Sequence, residues 1–116
     1  MEMRAVISRN MLHIALLGEL DHHCASGIRD KIDTLLCDPS IKKLVFDLKD
    51  VTFMDSSGIG VILARAAAMK RRKGGRTVIV NAQGQIERVL RLSGVYTLVE
   101  REDEESEARG CSMRMM

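Results

Sequence analysis

Apolar positions along the first half of the chain change their period repeatedly, and each change marks an element. Arg4 to Ser8 holds Ala5, Val6 and Ile7; Leu12 to Leu17 is a second apolar run, with Arg9, Asn10 and Met11 between the two. Two strands this close in sequence predict a hairpin. Gly18 is expected to break the second run. From Cys24 to Leu36 the period lengthens: Ala25, Ile28, Ile32 and Leu35 fall at helical spacing, separated by Arg29, Asp30, Lys31 and Asp33. Asp21 stands where an N-cap is wanted, and Pro39 enforces the stop.

Lys43 to Leu48 contains Leu44-Val45-Phe46, too apolar for a strand with one wet face, which suits a central parallel strand. Val51-Thr52-Phe53-Met54 follows, and then Asp55, Ser56 and Ser57, all good cap residues. Helical spacing returns with Ile59, Ile62, Leu63 and Ala66 and runs to about Lys70, where positive charge and Gly74-Gly75 close it. Thr77 to Val80 predicts a strand, Gln83 to Ser93 a helix closed by Gly94, and Tyr96 to Val99 a last short strand. Strands alternating with helices predict an α/β fold. The expectation is one domain over residues 1–116. It has a mostly parallel sheet of four or five strands, an antiparallel strand at its N-terminal end and three or four helices. The ordered core spans about 3–100. Residues 101–116 open on Arg101-Glu102-Asp103-Glu104-Glu105 and read as a frayed tail.

Composition narrows the function classes. The chain has 116 residues, 46% hydrophobic and 29% charged, which is ordinary for a globular domain. A net charge of +2 gives no electrostatic footprint for nucleic acid or a membrane surface. With no Trp, one Tyr and two Phe there is no stacking surface for single strands. Cys24, Cys37 and Cys111 are odd in number and lack knuckle or redox spacing, so reduced thiols in a cytoplasmic protein are expected. Neither a signal peptide nor a membrane span is read in the chain, and no cofactor is implied.

Two segments stand out chemically, Gly18-Glu19-Leu20-Asp21-His22-His23 and Phe53-Met54-Asp55-Ser56-Ser57-Gly58-Ile59-Gly60. Each follows a strand and opens a helix. Sites in open α/β sheets gather at such strand ends, and a helix N-terminus suits a phosphate. Two such turns at one sheet edge would bring Asp21 beside Ser56. The plainer reading of Asp21, Asp55, Ser56 and Ser57 is as helix caps alone. Enzyme readings fail on the residues. No glycine sits two places before Ser56 as a nucleophile elbow needs, and no histidine follows the serine. Gly58 and Gly60 lack the third glycine of a dinucleotide fingerprint, since Leu63 occupies it. His22 and His23 alone do not make a zinc site.

Both segments, with Leu92-Ser93-Gly94-Val95, resemble the anti-sigma factor antagonists over roughly residues 4 to 100. His22-His23 favours the sigma-F, sporulation branch over the general-stress branch. The resemblance implies a STAS domain that is not an enzyme. It implies a monomer that binds an anti-sigma factor serine kinase when unphosphorylated and so releases sigma-F. It also implies phosphorylation of Ser56 by that kinase, and resetting by a serine phosphatase. Asp21, Asp55, Ser56, Ser57 and Gly58 are then the partner- and kinase-binding residues. The run Glu102 to Glu107, followed by Gly110, departs from the amphipathic last helix usual in that family.

Overall fold

The computed structural model describes residues 1–102. β1 (Glu2–Ser8) and β2 (Met11–Leu20) form the expected hairpin. They are followed by α1 (His22–Leu35), β3 (Lys43–Met54), α2 (Ser56–Lys70), β4 (Arg76–Val80), α3 (Gly84–Ser93), a 3₁₀ turn (Val95–Thr97) and β5 (Glu100–Glu102). Among the described residues the sheet runs in chain order from β1 to β5, and only β1 is antiparallel to its neighbour.

Alternation decides which sheet face is covered. Leu12, Ile14 and Leu16 of β2 and Leu44, Phe46 and Leu48 of β3 are essentially fully buried. They join one core with Ala25, Ile28 and Ile32 of α1, Val61, Ile62, Ala66 and Met69 of α2, and Ile86 and Leu90 of α3. At about 25 cal/mol per Å² of apolar surface, this continuous core is the main stabiliser of the fold. The opposite face carries a separate small cluster of Val45, Val78 and Val80 with Met11 against it.

Three expectations need correction. Gly18 does not end β2. It takes φ 108° within the strand, which continues to Leu20. Lys43–Leu48 and Val51–Met54 are not separate runs but one strand. Register shifts against β2, between Ala15 and Leu17 and between Gly18 and Glu19, absorb extra residues of β3. The buried positions of β3 therefore step from Leu48 to Val51 to Met54, three apart instead of two. Bulges of this kind disguise a strand by resetting its alternation.

The last strand also lies later than expected. Val95 and Val99 are buried four residues apart, a helical interval, and Val95–Thr97 is a 3₁₀ turn. β5 follows it, built from charged residues, because an edge strand can be held by ion pairs and need not be apolar. Arg76 lies 2.9 Å from Glu100 and 3.0 Å from Glu102, and Lys43 lies 3.7 Å from Glu102. Arg101 and Glu102 thus belong to the sheet, while the rest of the expected tail, Cys111 and any fourth helix lie outside the described residues.

Candidate functional site

β2 and β3 end side by side. Leu20 is in register with Met54, and the Asp55 N–H donates to the Leu20 carbonyl at 3.4 Å. The residue after each strand is an aspartate in extended conformation, Asp21 at φ −115° and Asp55 at φ −111°. Each caps the next helix. Asp21 Oδ1 accepts from the N–H groups of His23 (3.0 Å) and Cys24 (3.3 Å). Asp55 Oδ1 accepts from Ser57 (2.9 Å) and Gly58 (3.4 Å). Of the three cap candidates in the second turn, Asp55 does the capping, and this leaves both serine hydroxyls uncommitted.

Ser56 is the first residue of α2 and is exposed; among the described residues its hydroxyl has no hydrogen-bond partner. Ser57 is half-buried. Gly58 is buried, and a Cβ there would come within 2.8 Å of Leu20 Cγ and of Met54 Cγ. Gly58 therefore lets α2 sit low on the ends of β2 and β3, which fixes the height of Ser56 at the rim. The structure brings Asp21 to this rim as expected, but its hydrogen bonds all serve its own helix. Desolvation raises the Asp21 pKa, yet the N–H groups of His23 and Cys24 and the nearby His23 imidazole together hold it below the ordinary carboxylate value. Asp21 is thus a standing negative charge on the same rim as the exposed hydroxyl.

The histidines do not assemble a nucleophile. His22 and His23 are exposed with ring centroids 4.0 Å apart, and His23 Nδ1 lies 3.8 Å from Asp21 Oδ2. His13 points to the sheet face away from the helices, 3.7 Å from Asp47 Oδ2. Among the described residues no histidine hydrogen-bonds either serine, and no group of His, Cys, Asp and Glu could hold a metal ion. No described helix is long and apolar enough to cross a membrane.

Sequence reasoning missed two features of this rim. Phe53, in register with Glu19 one residue before the strand end, is 47% exposed. A groove of about 460 Å³ also runs between α1 and α2, lined by His22, Arg29, Ser57, Gly60, Ala64 and Arg65 among others. The spacing of Gly60 and Ala64, four apart on α2, was the available signal for the groove, since small residues at that interval leave a hollow on a helix face.

The comparisons agree with this geometry. The STAS domain family matches residues 2–108. The anti-sigma F factor antagonist of Paenibacillus polymyxa is 35% identical over 100 residues, covering 86% of this chain and 85% of that protein. The solved structure of the anti-sigma factor antagonist SpoIIAA in its unphosphorylated form superposes with a TM-score of 0.78 at 28% identity, covering 99% of this chain and all of that one. The Bacillus cell fate determinant SpoIIAA in its phosphorylated form gives a TM-score of 0.72 at 29% identity, covering 94% of this chain and 98% of that one. The chain belongs to the STAS domain family and, within it, to the anti-sigma factor antagonists.

Proposed function

We propose that this antagonist is a cytoplasmic, monomeric phosphorylation switch of the sigma-F, sporulation type. Unphosphorylated, it binds an anti-sigma factor that is also an ATP-dependent serine kinase, and sigma-F is released. The kinase then phosphorylates Ser56, binding is lost, and a serine phosphatase resets the protein. The observation that carries this reading is the exposed Ser56 hydroxyl at the first position of α2, without a hydrogen-bond partner among the described residues, with Asp55 taking over the cap. The relative named anti-sigma F factor antagonist and the two solved forms of SpoIIAA support it.

The chemistry is sufficient without refolding. A phosphate adds about −1.5 to −2 charge. The helix dipole offsets roughly 0.3 to 2 kcal/mol of its local cost, so α2 can keep its first turn. Converting a mostly bound population to a mostly free one takes about 5.5 kcal/mol. Charges about 5 Å apart at an effective dielectric of about 20 interact by about 3 kcal/mol per unit pair, so a phosphate facing a partner anion supplies about 5 to 6 kcal/mol before salt screening. That is enough only with Ser56 inside the interface. Asp21, Asp55 and Ser57 supply the rim around it, and Gly58 acts through the seating of α2.

The test is intact-mass and site-mapping analysis after incubation with the cognate kinase and ATP, followed by a binding titration. One phosphate on Ser56 and loss of binding are expected. Ser56→Ala should stay bound in the presence of ATP, and Ser56→Asp should bind weakly, with less charge than phosphate. Equal affinity of the two variants, or a phosphate mapped elsewhere, sinks the reading.

A further inference from the structure

The rim around Ser56 is too small to hold a partner by itself. A specific interface covers about 800 Å² on each side, so a partner that reaches Ser56 must extend onto the neighbouring surface. The groove between α1 and α2 begins there. Ser57, one residue on from Ser56, and His22, one residue on from the Asp21 cap, line its mouth. Beyond them the walls carry Arg29 on α1 and Arg65 on α2; among the described residues no carboxylate is part of the lining, though Asp30 and Asp33 pair with these arginines from beside it. Gly60 and Ala64 form a low stretch on the α2 side, with nothing within 4 Å of where a Gly60 Cβ would stand.

The two arginines are held differently. Arg65 is only 12% exposed, with its Nε 3.1 Å from Asp33 Oδ1, so its guanidinium is fixed in the wall. Arg29 is half-exposed, and among the described residues its ion pair is with its chain neighbour Asp30, at 3.2 Å. A pair between adjacent exposed residues is worth little, so Arg29 is available to an incoming anion.

We propose that the α1–α2 groove receives a carboxylate-bearing segment of the partner anti-sigma factor, with Arg29 as its principal contact and the Asp33-paired Arg65 as a fixed donor in the wall. This rests on the switch reading above and deepens it. An acidic segment lying in the groove carries negative charge to the mouth at Ser57 and His22. A phosphate on Ser56 arrives beside that end of the segment. The groove thereby provides the partner anion that electrostatic release requires, on a surface formed by residues remote in sequence.

The experiment is calorimetric titration of the full chain with the cognate anti-sigma factor, at low and raised salt, using Arg29→Glu, Ala64→Glu, Arg29→Lys and unmodified and Ser56-phosphorylated wild type. Lys31→Glu, on the side of α1 away from the groove, controls for net charge. Arg29→Glu and Ala64→Glu should each weaken binding about tenfold or more, Arg29→Lys and Lys31→Glu should stay within about threefold, and wild-type affinity should fall as salt rises. All variants sit on exposed or half-exposed positions, and thermal melts check their folding. If Arg29→Glu and Ala64→Glu both bind within about twofold of wild type, the groove proposal is overturned. The phosphorylated protein separates the two ideas: lost binding there with intact groove variants leaves the switch standing alone. Unchanged binding there, with weakened groove variants, leaves the groove standing and removes the switch.

Discussion

The two strand-to-helix turns of this domain share one capping geometry and differ at each of the first three helical positions, with the first and third deciding most. Both start from an extended aspartate that accepts from the second and third N–H groups of its helix. At the first position α1 has His22 and α2 has Ser56. At the third, α1 has Cys24, whose thiol donates to the Glu19 carbonyl at 3.2 Å, while α2 has Gly58, with no room for even a methyl group. The shared cap sets the direction of each helix. The third residue sets how deeply it is seated, and the first decides what is exposed at the rim. One turn shows imidazoles beside a fixed carboxylate; the other shows a bare hydroxyl.

The strongest way to break that comparison is to equalise the third position. Gly58→Ala puts a methyl against Leu20 and Met54, which are 0% and 4% exposed, at contact distances no pair of carbons tolerates. Helix propensity alone would favour alanine by about 1 kcal/mol, so a net loss reads the clash directly. Overpacking of this kind costs about 1 to 3 kcal/mol, and we expect the net loss to appear in urea denaturation together with weaker partner binding as α2 lifts. Cys24→Ala at the matching place should stay within about 1 kcal/mol of wild type. Equal losses at both positions would mean that the two helices are seated alike.

A smaller effect tests the division of labour between Asp55 and Ser56. Asp55→Ala should lower stability by about 1 kcal/mol through the lost cap, and Asp55→Asn should recover most of it, since asparagine caps as well. Ser56→Ala should change stability by no more than about 0.5 kcal/mol, because an exposed hydroxyl without a partner contributes little. If Ser56→Ala cost as much as Asp55→Ala, the serine would be a cap and its availability as an acceptor would be lost.

Much of this architecture was legible before the structure, for reasons that differ between elements. α1 and α2 announce themselves by helical spacing and by aspartate caps. The parallel core is visible in Leu44-Val45-Phe46, because a strand covered by helices needs no wet alternation. β3 was split in reading because its bulges move the buried positions from every second to every third residue, a displacement visible only in its pairing with β2. β5 was missed because Glu100–Glu102 has no apolar signal, and Arg76 and Lys43 that hold it lie far away in sequence. At the rim, local pattern placed Asp21 and Ser56 at helix starts, and the choice of Ser56 as the acceptor rested on the family resemblance. The choice of Asp55 as the cap, the packing role of Gly58 and the α1–α2 groove could not be read from local pattern, since each depends on how two turns and two helices sit together.

The finest distinction between the turns is electrostatic and lies at low pH. Asp21 is held below its ordinary pKa of 3.8, with desolvation outweighed by its N–H donors and by His23. A carboxylate whose folded pKa is depressed contributes stability that is present above the unfolded value and is lost as pH falls through the folded one. The wild-type protein should therefore lose a small part of its stability as pH drops below 3.8. Asp21→Asn retains a capping oxygen but cannot titrate, so the difference in urea midpoint between the two proteins should be constant near neutrality and shrink across that acid window. A difference that stayed constant into the acid range would mean that Asp21 gains nothing from its charge, and that only its oxygen geometry matters. At neutral pH the charge has a second consequence. On the proposed switch, a phosphate placed on Ser56 joins a rim where Asp21 is already ionised, and the two negative groups act together against a partner anion. Asp21→Asn should then soften the contrast in affinity between phosphorylated and unphosphorylated protein, measured in the same titrations, without changing which form binds.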